Sequence, residues 1–442
     1  MQTTFKLFLV CLFCLVLSFT SGCDLAQPQN RDREQLVDLD VPLQEEAPLQ
    51  SEPQPDSKPE QQPLIEQPVV NIGHPKSNPI QQTVVKQSVR PLIQTKWGGH
   101  DPPFTNMLPM DGNKRCAVGC EAVAVAQIMK FHNHPARGIG QSEPYTTKTR
   151  EFNIPSVNFE IDYDWDNMLN TYPSANSGTT RQRNAVATLM HHVAVSLNGD
   201  FTATATRTGY TPRALIDFFG YDKSMQVHVR EYHSDESWEA LLREQIGVGL
   251  PVFYFAKNQT DTFQHVFIMD GCDNTGKFHF NMGYRGWLDG YFALNDMPQN
   301  MNGHQTIIIN IKPDEGSVGS NEWALVHFST EKNSVPQNEI FGVNVQLRSI
   351  SYFTGGQEGI ALVDNGGNIS AVIGTRNARM RHPGGTTAIN VIKCSVPDTI
   401  KAGKYQLRIV TRPNGGEWEI VRMSEVGNGV PNSIDFVVVG NH

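Results

Sequence analysis

The stretch "GCEAVAVAQIMKFHNHP", residues 119 to 135, limits the folds open to this chain more than any other part of it. Ala122 to Phe131 is nearly all apolar and compatible with a helix, and Pro135 ends the run. A helix apolar on every side has no face for water, so it belongs inside a domain with other elements packed around it. Gly119 lets the backbone turn sharply and places Cys120 at the helix N-terminus.

Three roles are open to Cys120. Cys116, Cys120, His132 and His134 have the chemistry of a zinc site, but ligands must lie about 2 Å from one ion. Along a continuous helix His132 is about 18 Å from Cys120. No metal is expected. Periodicity alone favours a buried structural cysteine. The helix N-terminus favours a nucleophile, because its unpaired N–H groups stabilise a thiolate and can also face a developing oxyanion.

The flanks set the surroundings. "LFLVCLFCLVLSF" (7 to 19), behind the single charge of Lys6, has the length of a signal-peptide core rather than a membrane span. "TSGC" resembles a bacterial lipoprotein box, with Thr20 where that box usually carries Leu. The resemblance implies a signal peptide over 1–22 and a lipidated Cys23. Residues 24 to 94 hold 11 of the 27 prolines and no Phe, Tyr or Trp. Such a segment buries too little apolar surface to offset its ordering, so 23–94 reads as a disordered tether with an end-to-end distance of roughly 45 Å. Residues 24 to 70 carry a net charge of −8 against −9 for the whole chain. The acidity therefore belongs to the tether, and no basic patch points to nucleic acid.

Past Trp97 the composition turns globular. Helical patterns at "VGCEAVAVAQIMKFH", 183 to 197, "TPRALIDFFGY" and "SWEALLREQI", the last capped by Ser237, precede short β-prone runs such as "PVFYFA", "HVFIMDG" and "KFHFNMGY". Helices first and strands afterwards predict an α+β domain over 95–313. From 340 onward six or seven alternating strands separated by "DNGGN" and "RPNGGE" predict an antiparallel β-sandwich within a second domain, 314–442. Nothing in it looks catalytic, and Cys394 reads as a core residue.

A nucleophilic cysteine needs a base. His265 opens the strand "HVFIMDG", and Asn281 follows on the next strand, giving the order Cys–His–Asn of papain-like peptidases. "GCEAVAVAQIMKFHNHPARGIG" resembles the nucleophile helix of the streptopain family of bacterial cysteine peptidases. "TKWGGHDPPFTNMLP", "IDYDWDNML", "VATLMHHVAVSLN", "FFGYD", "HVFIMDGCD", "FHFNMGYRG" with its following "DGYF", and "IIINIKP" follow in that family's order over roughly 95 to 313. The later strands resemble the C-terminal domain of members from Bacteroides-like bacteria. The resemblance implies a papain-like peptidase domain followed by an Ig-like sandwich. It makes Cys120 the nucleophile, His265 the base and Asn281 the residue that orients the imidazole.

Several positions depart from the family pattern. Gly99 stands where an oxyanion-binding Gln is usual, and His100, after an apparent one-residue insertion, becomes the candidate donor. One missing donor typically costs about 100- to 1000-fold in rate. Gln264 and Val266 replace smaller neighbours of His265, and Met282 and Tyr284 replace two tryptophans, with Trp287 elsewhere. "FTATATRTGYTP" replaces a cleft-lining segment, and the tether is too polar to act as the family's inhibitory prosegment. The expectation is a lipid-anchored, monomeric cysteine endopeptidase of the bacterial cell envelope, without cofactor, acting on protein or peptide substrates. Two alternatives stay open: a weakened or inactive homologue used as a surface binding protein, and another acyl transfer on the same Cys–His pair.

Overall fold

The computed structural model describes residues 87–209, 211–320, 322–423 and 430–440. The expected signal peptide, Cys23 and most of the tether lie outside the described residues. The protein is mixed α and β, with four helices of nine residues or more among the described residues: α1 (Cys120–His132), α2 (Thr180–Ser196), α3 (Thr211–Phe219) and α4 (Asp235–Gly247). All nine residues from Glu121 to Met129 are buried, as an all-round apolar helix requires. Thr179 and Gln182 close a capping box on α2. The cap of α4 is Ser234, whose side chain accepts the Ser237 N–H, and not Ser237 as expected. Asp235, Glu236 and Ser237 fit the first turn of a helix, so it starts earlier than its apolar pattern suggests.

Helices pack on a six-stranded sheet of β1 (Gln226–Val229), β2 (Val252–Lys257), β3 (Gln264–Cys272), β4 (Phe278–Asn281), β5 (Gly290–Phe292) and β6 (Gly303–Ile309). Its order is β5-β4-β3-β2-β6-β1, antiparallel throughout. Period-two alternation divides the core: Phe253, Phe255, Val266 and Ile268 join α1, α2 and α3, while Val252, Tyr254, Phe267 and Met269 join α4.

The expected tether boundary at 94 is too late. Val89 exchanges backbone hydrogen bonds with Cys272, Leu92 N–H reaches the Asp270 carbonyl, and Ile93 N–H reaches Asp270 Oδ2 at 2.9 Å. These residues lack aromatic side chains, yet main-chain pairing along β3 holds them in place.

The C-terminal region places two sheets over one core. One has the order β12-β9-β7-β14, from β7 (Glu322–Thr330), β9 (Ile340–Ser349), β12 (Asn390–Ser395) and β14 (Arg422–Met423). The other runs β8-β15-β13-β10-β11, from β8 (Ser334–Pro336), β10 (Gly356–Val363), β11 (Ile369–Ala378), β13 (Gly403–Pro413) and β15 (Ile434–Val439), with Glu419–Ile420 beside β13. Leu325, Val343 and Ile392 of the first sheet share a core with Ile360, Leu407 and Phe436 of the second. Segment 313–339, read from its sequence as linker or irregular strand, contains the first full strand, β7.

The two regions meet along β1. Val227 N–H donates to the Ile350 carbonyl at 2.8 Å, and Gln226 and Ser351 form a bridge. His382 Nε2 lies 3.0 Å from Asp217 Oδ1 nearby.

Candidate active site

Cys120 is the first residue of α1 and is half-buried. Gly119 before it has φ 90° and ψ 140°, a left-handed conformation that side chains resist. A Cβ there would also stand 3.0 Å from the Thr206 carbonyl oxygen. The lead-in is pinned by Ala117 N–H to Thr202 O and Val118 N–H to Gly99 O. The sulfur thus sits at a helix N-terminus whose first N–H groups have no acceptor within the helix.

None of Cys116, Cys120, Cys272 and Cys394 forms a disulfide. Cys116 is buried, and burial first and Asp111 second push its thiol up to about 11. Burial pushes Cys394 up to about 12. His132 and His134 each face a different backbone carbonyl. His132 Nε2 is 2.9 Å from the Ile311 carbonyl and His134 Nε2 is 3.0 Å from that of Gly220.

His265 is buried, at 2 % exposure, on the Phe267 side of β3. Its Nε2 lies 2.9 Å from the Met282 carbonyl oxygen. A carbonyl only accepts, so Nε2 carries a proton and Nδ1 is the nitrogen that this bond leaves uncommitted. Tyr284 stacks on the imidazole at 4.7 Å and 2°, with its hydroxyl 3.3 Å from Nδ1. The aromatic cover that the missing tryptophans would supply is therefore present in another form, and Trp287 continues it at 6.1 Å from Tyr284.

Asn281 is not the direct partner of the imidazole. Its Nδ2 donates to the Thr95 carbonyl at 2.8 Å, and its Oδ1 accepts from Gln127 Nε2 at 3.2 Å and from Gly283 N–H at 3.1 Å. The peptide between Met282 and Gly283 intervenes: its C=O holds His265 and its N–H is held by Asn281. Chain order cannot tell a side-chain contact from one relayed through a peptide.

Gln127 carries this network onto α1. It is fully buried, and its Oε1 accepts from Thr95 Oγ1 at 2.9 Å and from Trp97 N–H at 3.2 Å. Gln127 is seven residues from Cys120, hence on the same helix face and about 10 Å along it. Between them Val123 packs against Gly99 and Gly283, 3.1 and 3.4 Å from where their Cβ atoms would lie. The 282–283 turn, which holds the imidazole, therefore touches α1 one turn from Cys120. A glutamine inside an all-apolar helix was the signal available in the sequence, since a buried amide must find partners.

Glu121, next to Cys120, is a second residue the sequence reading passed over. Its carboxyl is buried, accepts hydrogen bonds from Thr208 and Thr211, and burial raises its pKa. Those hydroxyls belong to the stretch "FTATATRTGYTP", so Glu121 ties the first turn of α1 to it. His100 is exposed and follows Gly99 in the chain.

The peptidase C10 family profile matches residues 97–292, the segment that contains Cys120, His265 and the 282–283 turn. Over residues 97–292 the chain is thus similar to the peptidase C10 family. Streptopain of Streptococcus pyogenes is 30% identical to this chain over 275 residues, which is 56% of this chain and 64% of streptopain. The thiol protease/hemagglutinin PrtT of Porphyromonas gingivalis is 28% identical over 218 residues, 47% of this chain and 25% of PrtT. The chain thus spans less than two thirds of either relative. The active wild-type interpain A cysteine protease of Prevotella intermedia is 26% identical, with a TM-score of 0.46, covering 51% of this chain and 95% of that structure. The C10 segment ends within the sheet, and no part of the match reaches the C-terminal strands.

Proposed function

We propose that this protein is a cysteine peptidase of papain-like mechanism, with Cys120 as nucleophile and His265 as general base and acid. One observation carries the reading: His265 is held through Nε2 on the Met282 carbonyl, at the turn that packs on the nucleophile helix. That leaves Nδ1 as the nitrogen that exchanges the proton. Cys120 passes its proton to Nδ1, the resulting thiolate attacks the scissile carbonyl carbon, and the oxyanion forms against the first-turn N–H groups of α1. Nδ1–H then protonates the leaving amine, giving an acyl-enzyme. A water loses its proton to Nδ1, attacks the thioester and releases the acid product and the thiolate.

The whole chain is read as a lipoprotein anchored through Cys23, with the peptidase domain over 95–313 and the second domain over 314–442. Two facing sheets, β12-β9-β7-β14 and β8-β15-β13-β10-β11, support a sandwich of the Ig-like class for the latter, with β8 paired in parallel with β15.

The test is digestion of an unfolded protein by the full chain, with Cys120→Ala and His265→Ala as controls, beside iodoacetamide labelling at pH 6. Cys120 should label quickly and in a His265-dependent way. Cys116 and Cys394 should label slowly, because their raised pKa values leave few thiolates at that pH. Labelling of Cys120 that ignores His265, with no digestion, would defeat the proposal.

A further inference from the structure

We propose that Asp289 is a positioning residue for the His265 imidazole, acting through the backbone of Met282. The inference rests on the reading of His265 as base and adds a residue that chain order did not single out. Asp289 Oδ1 accepts the Met282 N–H at 2.8 Å, and the carbonyl of the same residue accepts His265 Nε2–H at 2.9 Å. Met282 is 1 % exposed. Both polar groups of its backbone are therefore used, one by the carboxylate and one by the imidazole.

The intervening loop shows why this fixing is needed. Residues 283, 285, 286 and 288 all have positive φ, at 71°, 57°, 89° and 64°, and two of them, Arg285 and Leu288, are not glycine. Such conformations cost roughly 1 kcal/mol or more each and persist only where the surroundings over-determine them. The coil returns the chain so that Asp289 reaches back seven residues to Met282. The end of the loop thus clamps its beginning, and the clamped residue presents the carbonyl. Asn281 fixes the same carbonyl from the other side, through the Gly283 N–H at 3.1 Å. Between the two holds, the Met282 carbonyl has little freedom to turn away from His265.

Without Asp289 the Met282 N–H is a buried donor lacking its acceptor, which the loop can relieve only by moving. A shift of about 1 Å in a catalytic group lowers turnover on the order of 100-fold. A residue that merely supports the loop would change stability while leaving the ring's own hydrogen bond in place. The ring therefore supplies the discriminating measurement.

The experiment follows the His265 Nε2–H proton by NMR in histidine-labelled full chain, assigned by its loss in His265→Ala, alongside kcat and KM. Asp289→Ala should abolish or broaden that signal and lower kcat on the order of 10- to 100-fold, with KM within about threefold. Asp289→Asn keeps a side-chain oxygen for the Met282 N–H, so it should keep the signal and restore most of kcat. A sharp, unshifted ring signal in folded Asp289→Ala overturns the proposal. If that variant does not fold, Asp289→Glu decides. Its displaced carboxylate should shift the ring signal and lower kcat more than Asn does, and a Glu variant that matches wild type overturns the proposal. The ring signal does not depend on turnover. A wild-type protein that cleaves nothing would sink the peptidase reading and leave the comparison of ring signals standing.

Discussion

In the strands of 322–439 the side chains that close the core, from Leu325 and Val343 to Ile409 and Phe436, are apolar. In the N-terminal region Gln127, His265, Asp270 and Asn281 are as deeply buried as the aromatic residues around them. Glu358 is the buried carboxylate of the C-terminal region, beside neutral Ser349 and Thr411, and Arg376 neutralises it, with Nε donating at 2.7 Å. Apolar packing is forgiving of small rearrangements, whereas a buried polar group fixes its partners in distance and direction. The costly arrangement is found around His265 and the turn that holds it. The forgiving one is found where a stable body is enough.

The comparison breaks most visibly at its two contrasting thiols. Cys120→Ser should lower turnover at least about 1000-fold and leave the unfolding midpoint nearly unchanged. Cys394→Ser should leave turnover intact and cost about 1 to 3 kcal/mol in denaturant unfolding, by placing a hydroxyl in the apolar core. If both variants lost activity alike, the division of labour would be false.

Gln127→Leu comes next. It strands the Thr95 hydroxyl, the Trp97 N–H and one contact of Asn281, so it should cost about 3 kcal/mol and reduce kcat. An apolar trim such as Ile409→Val in the C-terminal core should cost only about 1 kcal/mol. Chevron or equilibrium denaturation of both variants measures the gap.

The oxyanion side sharpens the contrast further. A side chain at Gly99 would start 3.1 Å from Val123 Cγ2 and 3.6 Å from the Gly119 nitrogen. Gly99→Gln alone should therefore do little, while Gly99→Gln with Val123→Ala should raise kcat about tenfold by adding a donor beside the helix terminus. Equal rates for the single and double variants would show that Val123 is no obstacle.

The smallest effect expected is that of Glu121. Its folded-state pKa is raised, so the folded protein holds this proton more tightly than the unfolded chain does. Stability from this group is then complete below the unfolded value and declines as pH rises from there toward the folded one, by at most about 1.4 kcal/mol per pH unit. Glu121→Gln should remove that slope, giving a stability gain over wild type that grows with pH. A gain independent of pH would assign it to packing instead.

Much of this was legible in the residues. An all-apolar run between Gly119 and Pro135 forced a buried helix, and alternation gave the C-terminal strands. Tyr284 as a stacking partner of His265 was not legible, because spacing says nothing about ring orientation. Nor was the relay from Asn281 through the Met282–Gly283 peptide, since backbone groups have no letter in the sequence. The order of residues 88–94 was hidden for the same reason: their place is set by main-chain pairing with β3, while their composition reads as a tether.

The contact of Val227 and Gln226 with Ile350 and Ser351 has a consequence for biosynthesis. A chain is made from its N-terminus, and the six-stranded sheet has all its strands once Ile309 has been added. β1 is an edge of that sheet, and the segment that covers it arrives about 40 residues later, a delay of about 2 to 8 s at ordinary elongation rates. For that interval the edge is open to any other strand. Truncation ahead of residue 350 would make the interval permanent, so the C-terminal strands serve the nascent six-stranded sheet as its edge guard before they serve the finished protein in any other way.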